Sequence, residues 1–363
     1  MVSLFFLTIL VNHEYTNEPW EVRQTGIFEV VLPKEVIVAD TGLFLIDRSE
    51  KCIRHFDVHG KSKARLGGKP PGLGTFMSLI WLQHRKNKIY GFDKLQRRIQ
   101  VYATSGNFVT SLRPPASALF LSAPAQKVNG GWVYLSPDSN SIILGDESFV
   151  PIATLVGSFT GDPFEVAPKA LSGSRYKKYN PAPDRPLFQV NSEGNQVYCY
   201  EPDSGFKITV FDVKTGTKLR SIDHAFAPVP LPFEWAEDNL KDLQKQSERN
   251  LPFKVEWEAD FPKVFPAVQH FQFDPDGHLR FFPGARYLNP KVPSLVLDAR
   301  GRKLNSNFKD ADVKRILAIQ DTWAYLSIYT LVEDGGKEFG IKKLPLADTT
   351  RFLTENPDLD FLD

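Results

Sequence analysis

Apolar and polar positions along this chain fall into short alternating or apolar runs separated by turn-forming clusters, and the runs recur. "GLFLIDRSEKCIRHFDVHGKS" (42–62) and "KIYGFDKLQRRIQVYATSGNF" (88–108) each hold two such runs followed by a turn. From Asp47 the pattern places Ile53, Phe56 and Gly60. From Asp93, 46 residues on, it places Ile99, Tyr102 and Gly106 at the same offsets. A period of about 40–50 residues fits a four-stranded unit of a repeat architecture.

Looser copies follow. "QVYCYEPDSGFKITVFDVKTGTKL" (196–219) repeats both strands and the turn from Asp212 to Gly216. "HLRFFPG" with "SLVLDARGRKL", "GWVYLSP" with "SIILGD", and "WAYLSIY" with "FGIKKL" complete six copies. Each is preceded by an apolar segment and a tight turn such as "FQFDPDG" or "LFLSAPAQKVNGG", whose Gly and Asn tolerate positive φ. A fourth run, such as "KSKARL" or "NFVTSL", follows in the clearer copies. The pattern therefore predicts up-and-down meanders of four antiparallel strands. Strict alternation in "RIQVYA" and "KITVFD" predicts third strands buried on one face. "GGKPPGLGTF" (67–76) is read as the link from an outer fourth strand to the inner first strand of the next unit.

Two longer segments, 158–185 and 225–263, interrupt the rhythm between copies three and four and between copies four and five. In the second, "PFEWAEDNLKDLQKQSER" (232–249) reads as a helix, with acids in its first turns and Lys245 and Arg249 near its end, as the helix dipole favours. Links between meander units all emerge on one face, so both insertions are expected there, side by side. The last copy lacks a fourth strand, because the acidic "NPDLDFLD" is no strand. That strand is expected from "WEVRQTGIFEV" (20–30), closing the ring.

The linker, the "RIQVY" strands and "FQFDPDGHLRFF" resemble the NHL-type six-bladed β-propellers, in particular bacterial exported members of that group, over about residues 27–347. That family's linker commonly ends in an acid and Phe; here Thr75 stands before Phe76. The resemblance implies an all-β, six-bladed β-propeller of four-stranded antiparallel blades, with one helical insertion between blades 4 and 5. The propeller would occupy residues 20–347, between a start at 1–19 that is an export signal or disordered and an acidic tail at 348–363.

Composition narrows the function. The 28 Phe, 11 Tyr and 6 Trp against 2 Met favour strands. A net charge of +1 gives no general field for nucleic acid. The apolar run Val2–Val11 is too short for a membrane span and resembles the core of a signal peptide without its basic flank, so export is the expectation. Cys52 and Cys199, on opposite sides of such a ring, are expected not to pair.

Candidate chemistry is sparse. "GLGTFM" precedes no helix, which argues against a nucleotide fingerprint. The seven histidines make no metal-ligand spacing, and inner-strand positions offer mainly amides such as Gln83, Gln189, Asn191, Gln269 and Gln272. No metal and no cofactor are expected. His84 and His270 lie on inner strands and are candidate ligand contacts. Arg175, Tyr176, Lys177 and Lys178, with Arg185 beyond, form a candidate binding loop for an anionic or carbohydrate-like partner. Asp47, Asp57, Asp93 and Asp212 are read as turn and blade-edge residues. The expected function is that of a monomeric, extracytoplasmic binding or scaffold protein, recognising a protein, glycan or small molecule on its insertion-bearing face. The alternative is a propeller hydrolase or lyase, lactonase-like or amidating-lyase-like, acting at the channel mouth.

Overall fold

The computed structural model describes residues 19–23, 36–47, 50–68, 72–114, 125–136, 141–157, 176–180, 182, 186–201, 205–250, 256–274, 277–289, 292–304, 316–320, 322–331 and 337–355. Within them the antiparallel sheets follow one another along the chain, each a meander in sequence order. The first comprises β2 (Val36–Ala39), β3 (Gly42–Asp47), β4 (Cys52–Phe56) and β5 (Ser62–Gly67). The second comprises β6 (Leu79–Arg85), β7 (Lys88–Asp93), β8 (Arg98–Ala103) and β9 (Phe108–Leu112). The third comprises β10 (Gln126–Val128), β11 (Gly131–Ser136), β12 (Ser141–Asp146) and β13 (Pro151–Val156). After β14 (Tyr176–Tyr179) comes the fourth sheet: β15 (Leu187–Val190), β16 (Gln196–Tyr200), β17 (Lys207–Asp212) and β18 (Lys218–Asp223). Helix α1 (Phe233–Asn250) and β19 (Glu256–Ala259) precede the fifth sheet, of β20 (Val268–Phe273), β21 (Leu279–Pro283) and β22 (Leu295–Leu297). The sixth has β23 (Ile316–Gln320), β24 (Trp323–Leu331) and β25 (Lys337–Pro345), and its outer strand is β1 (Trp20–Arg23), from the other end of the chain.

Core side chains lie between successive sheets. Phe44, Ile46 and Ile53 of the first sheet pack with Leu79, Leu82 and Ile89 of the second. Tyr90, Phe92 and Val101 meet Trp132 and Ile143 of the third, whose Val133 and Leu144 meet Phe188 and Val197 of the fourth. Tyr198, Ile208 and Val210 pack on Phe271, Leu279 and Phe281 of the fifth, while Tyr325 and Ile341 of the sixth return to Val36, Leu43 and Phe56 of the first. Sheets stacked face to face in chain order from the first to the fifth, with the sixth packed on the first, match the arrangement of a β-propeller. Middle strands are covered on both faces: every residue of β3 and β4 is buried, whereas β5, β9, β13 and β18 are largely exposed.

The alternating third strands therefore depart from expectation. β8 and β17 are buried across both faces. Their polar positions are reconciled in part by hydrogen bonds: Gln100 Nε2 donates to Thr75 O at 2.9 Å while its buried Oε1 has no partner among the described residues, and Thr209 Oγ1 donates to Glu201 Oε1 at 2.7 Å. Such a partner removes most of the cost of burying a polar group.

The 67–76 linker is pinned to the second sheet. Tyr102 Oη donates to Gly74 O, and Arg98 Nη2 donates to Thr75 O at 2.6 Å. Thr75 Oγ1 closes the turn by accepting from Gly72 N and donating to Gly72 O, both at 2.8 Å. Phe76 is then driven into the seam between the first two sheets. A Cβ at position 91 would lie 2.7 Å from Phe76 Cζ, so the middle strand β7 needs glycine there.

The repeated aspartates are structural. Asp47 binds Arg54 Nε at 2.8 Å and accepts from Glu50 N. Asp93 accepts from Met77 N and Ser78 N. Asp57 and Asp212 cap their turns through His59 N and Lys61 N, and through Thr215 N. Cys52 and Cys199 are buried free thiols on the first and fourth sheets.

Three local expectations change. The fourth run of copy five, "RKLNSN", is reduced among the described residues to a single bridge between Leu297 and Lys303. Helix α1 starts at Phe233, just after Pro232, and docks through buried Ala236 and through Trp235 against Phe265 at 5.3 Å. The tail drawn from 348 begins instead inside helix α2 (Leu346–Glu355). Leu346, Phe352 and Leu353 supply an apolar stripe to the sixth sheet, which the polar "DTT" at 348–350 conceals in the sequence. Residues 1–18, 24–30 of the expected closing segment, and "NPDLDFLD" lie outside the described residues.

His55 is buried with its ring stacked on Phe44 at 4.1 Å and its Nε2–H donated to Thr41 O at 3.0 Å. Burial holds its pKa below the ordinary 6.5. An unfolded chain therefore binds a proton here that the folded one resists, and stability falls as pH drops below about 6.5. Urea unfolding at pH 7.5 and 5.5 is expected to show that loss, and to show a smaller one in His55→Phe. Equal pH dependence in the two proteins would contradict it.

Candidate functional site

The sequence candidates divide between two ends of the strands. Connections between sheets enter at the start of each first strand, so the chain leaves Val156 and Asp223, and re-enters at Leu187 and Val268, at one common end. Turns joining first to second strands, and third to fourth, share the other.

At the first end the run expected as a loop is in part a strand. Tyr176–Tyr179 pairs in parallel with Glu256–Ala259, aligning Tyr176 with Glu256, Lys177 with Trp257 and Lys178 with Glu258. Local sequence hides this because the partner lies about 80 residues away, in the other insertion. The pairing ties the two insertions together. The second insertion is closed at its base, where Leu231 N donates to Lys263 O and Phe265 N to Val229 O. Arg175 and Arg185 lie outside the described residues.

The inner-strand histidines lie on different sheets. His84 is half-buried on β6, and burial lowers its pKa. His270 is exposed on β20 and stacks on Phe282 at 5.9 Å. These strands belong to the second and fifth sheets, which are not neighbours. Among the described residues no group of three or more His, Cys, Asp and Glu is placed to hold a metal ion.

Amides on the inner strands have a specific task. Gln83 Oε1 accepts from Lys127 N at 2.6 Å and its Nε2 donates to Lys127 O at 3.0 Å. Gln126 repeats the arrangement one sheet on, accepting from Val190 N at 2.9 Å and donating to Phe188 O at 3.2 Å. Each side chain thus pairs with a neighbouring strand as a backbone amide would.

At the opposite end of the strands lies a cleft of about 360 Å³ between the second and third sheets. The tight turn after β6 supplies Arg85, Lys86 and Lys88; the end of β10 supplies Lys127, and the turn after β12 supplies Glu147. Lys127 is buried, and burial depresses its pKa. Its ammonium donates to Val128 O, to Gly131 O at 2.9 Å and to Glu147 Oε1 at 2.8 Å, and sits 5.3 Å from the centre of the Trp132 ring. Arg85 spans three sheets, donating from Nε to Lys127 O at 3.1 Å, from Nη2 to Asn191 O at 2.7 Å and from Nη1 to Ser192 O. Gly194, at φ 71°, leaves room for it: a Cβ there would stand 3.1 Å from Arg85 Cζ. Lys127 and Arg85 escaped notice in the sequence because "QKVNGG" and "HRKN" read as ordinary polar turns.

The fold and these two ends define a β-propeller with long connections on one face and a cation-rich cleft on the other. No protein-family model and no curated protein matches the chain. Among solved structures it is similar to a putative exported protein from Bacteroides fragilis, at 13% identity and a TM-score of 0.46, over 90% of this chain and 95% of that one. It is also similar to a DUF4221-family member from Bacteroides vulgatus, at 10% identity and a TM-score of 0.47, over 90% and 98%. A gluconolactonase from Xanthomonas campestris is similar at 11% identity and a TM-score of 0.33, over 83% and 82%. No helix among the described residues is long and apolar enough to cross a membrane.

Proposed function

We propose that this chain is an exported, six-bladed β-propeller that binds a carbohydrate-like or otherwise anionic partner on the face carrying its two insertions. One observation carries the reading: the parallel pairing of Tyr176–Tyr179 with Glu256–Ala259 joins two long connections from successive sheet junctions. Long excursions in compact repeat folds are usually functional or disordered, and a base closed by hydrogen bonds favours the first. Arg175, Lys177, Lys178 and Arg185 outnumber Glu256 and Glu258 of the paired strand and would leave that pairing net positive, and Tyr176 adds an aromatic residue of the kind that suits a sugar. The apolar run at Val2–Val11 is the motive for export.

The test is binding of the purified protein to immobilised neutral and acidic glycans. Substituting Arg175, Lys177 and Lys178 together by Ala should weaken the recognised glycan about tenfold and flatten its salt dependence, with thermal stability unchanged. Binding that survives the triple substitution, or a folded parent that retains no glycan, overturns the proposal.

A further inference from the structure

We propose that the cleft between the second and third sheets is a separate binding site for a small organic anion carrying two or more negative charges, such as a polycarboxylate or a sugar phosphate. Four cationic side chains line it, Arg85, Lys86, Lys88 and Lys127, against the one carboxylate of Glu147. That carboxylate is already engaged by Lys127. The guanidinium of Arg85 is half-buried and is met by three neutral carbonyl oxygens; among the described residues no carboxylate pairs with it. A cation held this way keeps its field, because carbonyl dipoles solvate the charge without cancelling it.

Lys86 and Lys88 complete the site from the exposed rim of the turn after β6. Lys86 sits at φ 52°, a left-handed conformation that an Asn or Gly would adopt at lower cost, so the turn does not itself call for lysine. Both lysines line the same cleft as Lys127. Asn129 is held at the opposite lip by its Nδ2 bond to Glu193 O at 2.9 Å. Ala103 and Val109 give the cleft an apolar flank, which suits a ligand with a carbon skeleton better than a bare inorganic ion. The volume admits a molecule of about monosaccharide size.

Isothermal titration of the full chain with citrate, glucose 1-phosphate and, as a neutral control, glucose tests this. At low salt one molecule of citrate or glucose 1-phosphate should bind per chain, more weakly as salt is raised, and glucose should not bind. Lys86→Asn with Lys88→Thr removes two charges while suiting the turn and strand, and should weaken the anion about tenfold. Glu147→Gln should tighten it by freeing Lys127. Substituting Arg175, Lys177 and Lys178 by Ala should leave it unchanged, which separates this site from the one on the insertion face. Absence of binding by both anions, an unaltered affinity in the Lys86/Lys88 variant, or a loss shared with the insertion variant would overturn the proposal.

Discussion

A chain lacking residues 1–23 is expected to unfold about 5 °C below the parent chain and to aggregate as its concentration rises. The deletion removes β1, which pairs along β25 from Trp20 with Lys343 to Arg23 with Gly340. It also removes the half-buried ion pair between Glu21 and Lys342 at 3.4 Å. Four residues of ladder are worth on the order of 4 kcal/mol, and a domain of this size shifts by roughly 1–2 °C for each kcal/mol. The larger penalty follows from the edge left behind. β25 spans Lys337–Pro345, and without β1 its backbone donors and acceptors face solvent as a template for another chain. Thermal unfolding with light scattering at several concentrations checks both effects. A truncated protein that melts with the parent and stays monodisperse would mean that β1 does not secure the sixth sheet.

Asp274→Ala should be the most damaging single substitution among the ionised groups, at about 3–5 kcal/mol. Asp274 and Arg280 have side chains only 1% exposed. The guanidinium donates from Nε at 2.8 Å to Oδ1 and from Nη2 at 2.8 Å to Oδ2, while Nη1 reaches Ser294 Oγ at 2.7 Å. Removing the carboxylate takes from a buried cation the partner that accepts from both its Nε and its Nη2. Asp274→Ala combined with Arg280→Met should recover most of the loss, because no buried charge then remains. Denaturant unfolding of the single and double variants distinguishes the cases. If the double variant is as unstable as Asp274→Ala alone, packing rather than charge sets the cost. The Arg302–Asp298 pair, whose arginine side chain is 73% exposed, should by contrast barely register when broken.

Features that repeat locally were legible in the sequence. The Asp47 and Asp93 offsets, the Asp–Gly turns and the apolar middle strands arise from contacts within one sheet, so they print a period on the chain. The closing strand was legible for a different reason: six copies with one strand too few require a donor, expected within "WEVRQTGIFEV" (20–30), of which Trp20–Arg23 forms it. Features that depend on distant partners left no such mark. Nothing near "YKKY" announces a parallel partner in the other insertion, and nothing near Gln83 shows that its amide is committed to Lys127, 44 residues away. Inner-strand amides such as Gln83 were read only as poor metal ligands, yet Gln83 and, beside it in the series, Gln126 are occupied in holding sheets together. Lys127 was missed because burial of a lysine depends on a carboxylate twenty residues on, and spacing alone does not report that Glu147 comes within 2.8 Å.

The paired amide bonds of Gln83 and Gln126 also have a mechanical meaning. Apolar faces stacked on one another resist separation but tolerate sliding, because one methyl contact replaces another at small cost. An amide that both donates to and accepts from a single stretch of backbone has no equivalent position nearby: slipping by one residue, about 3.3 Å, breaks both bonds together. The second, third and fourth sheets are thereby locked against axial shear. A pulling force applied along their inner strands should meet its stiffest resistance at these two side chains.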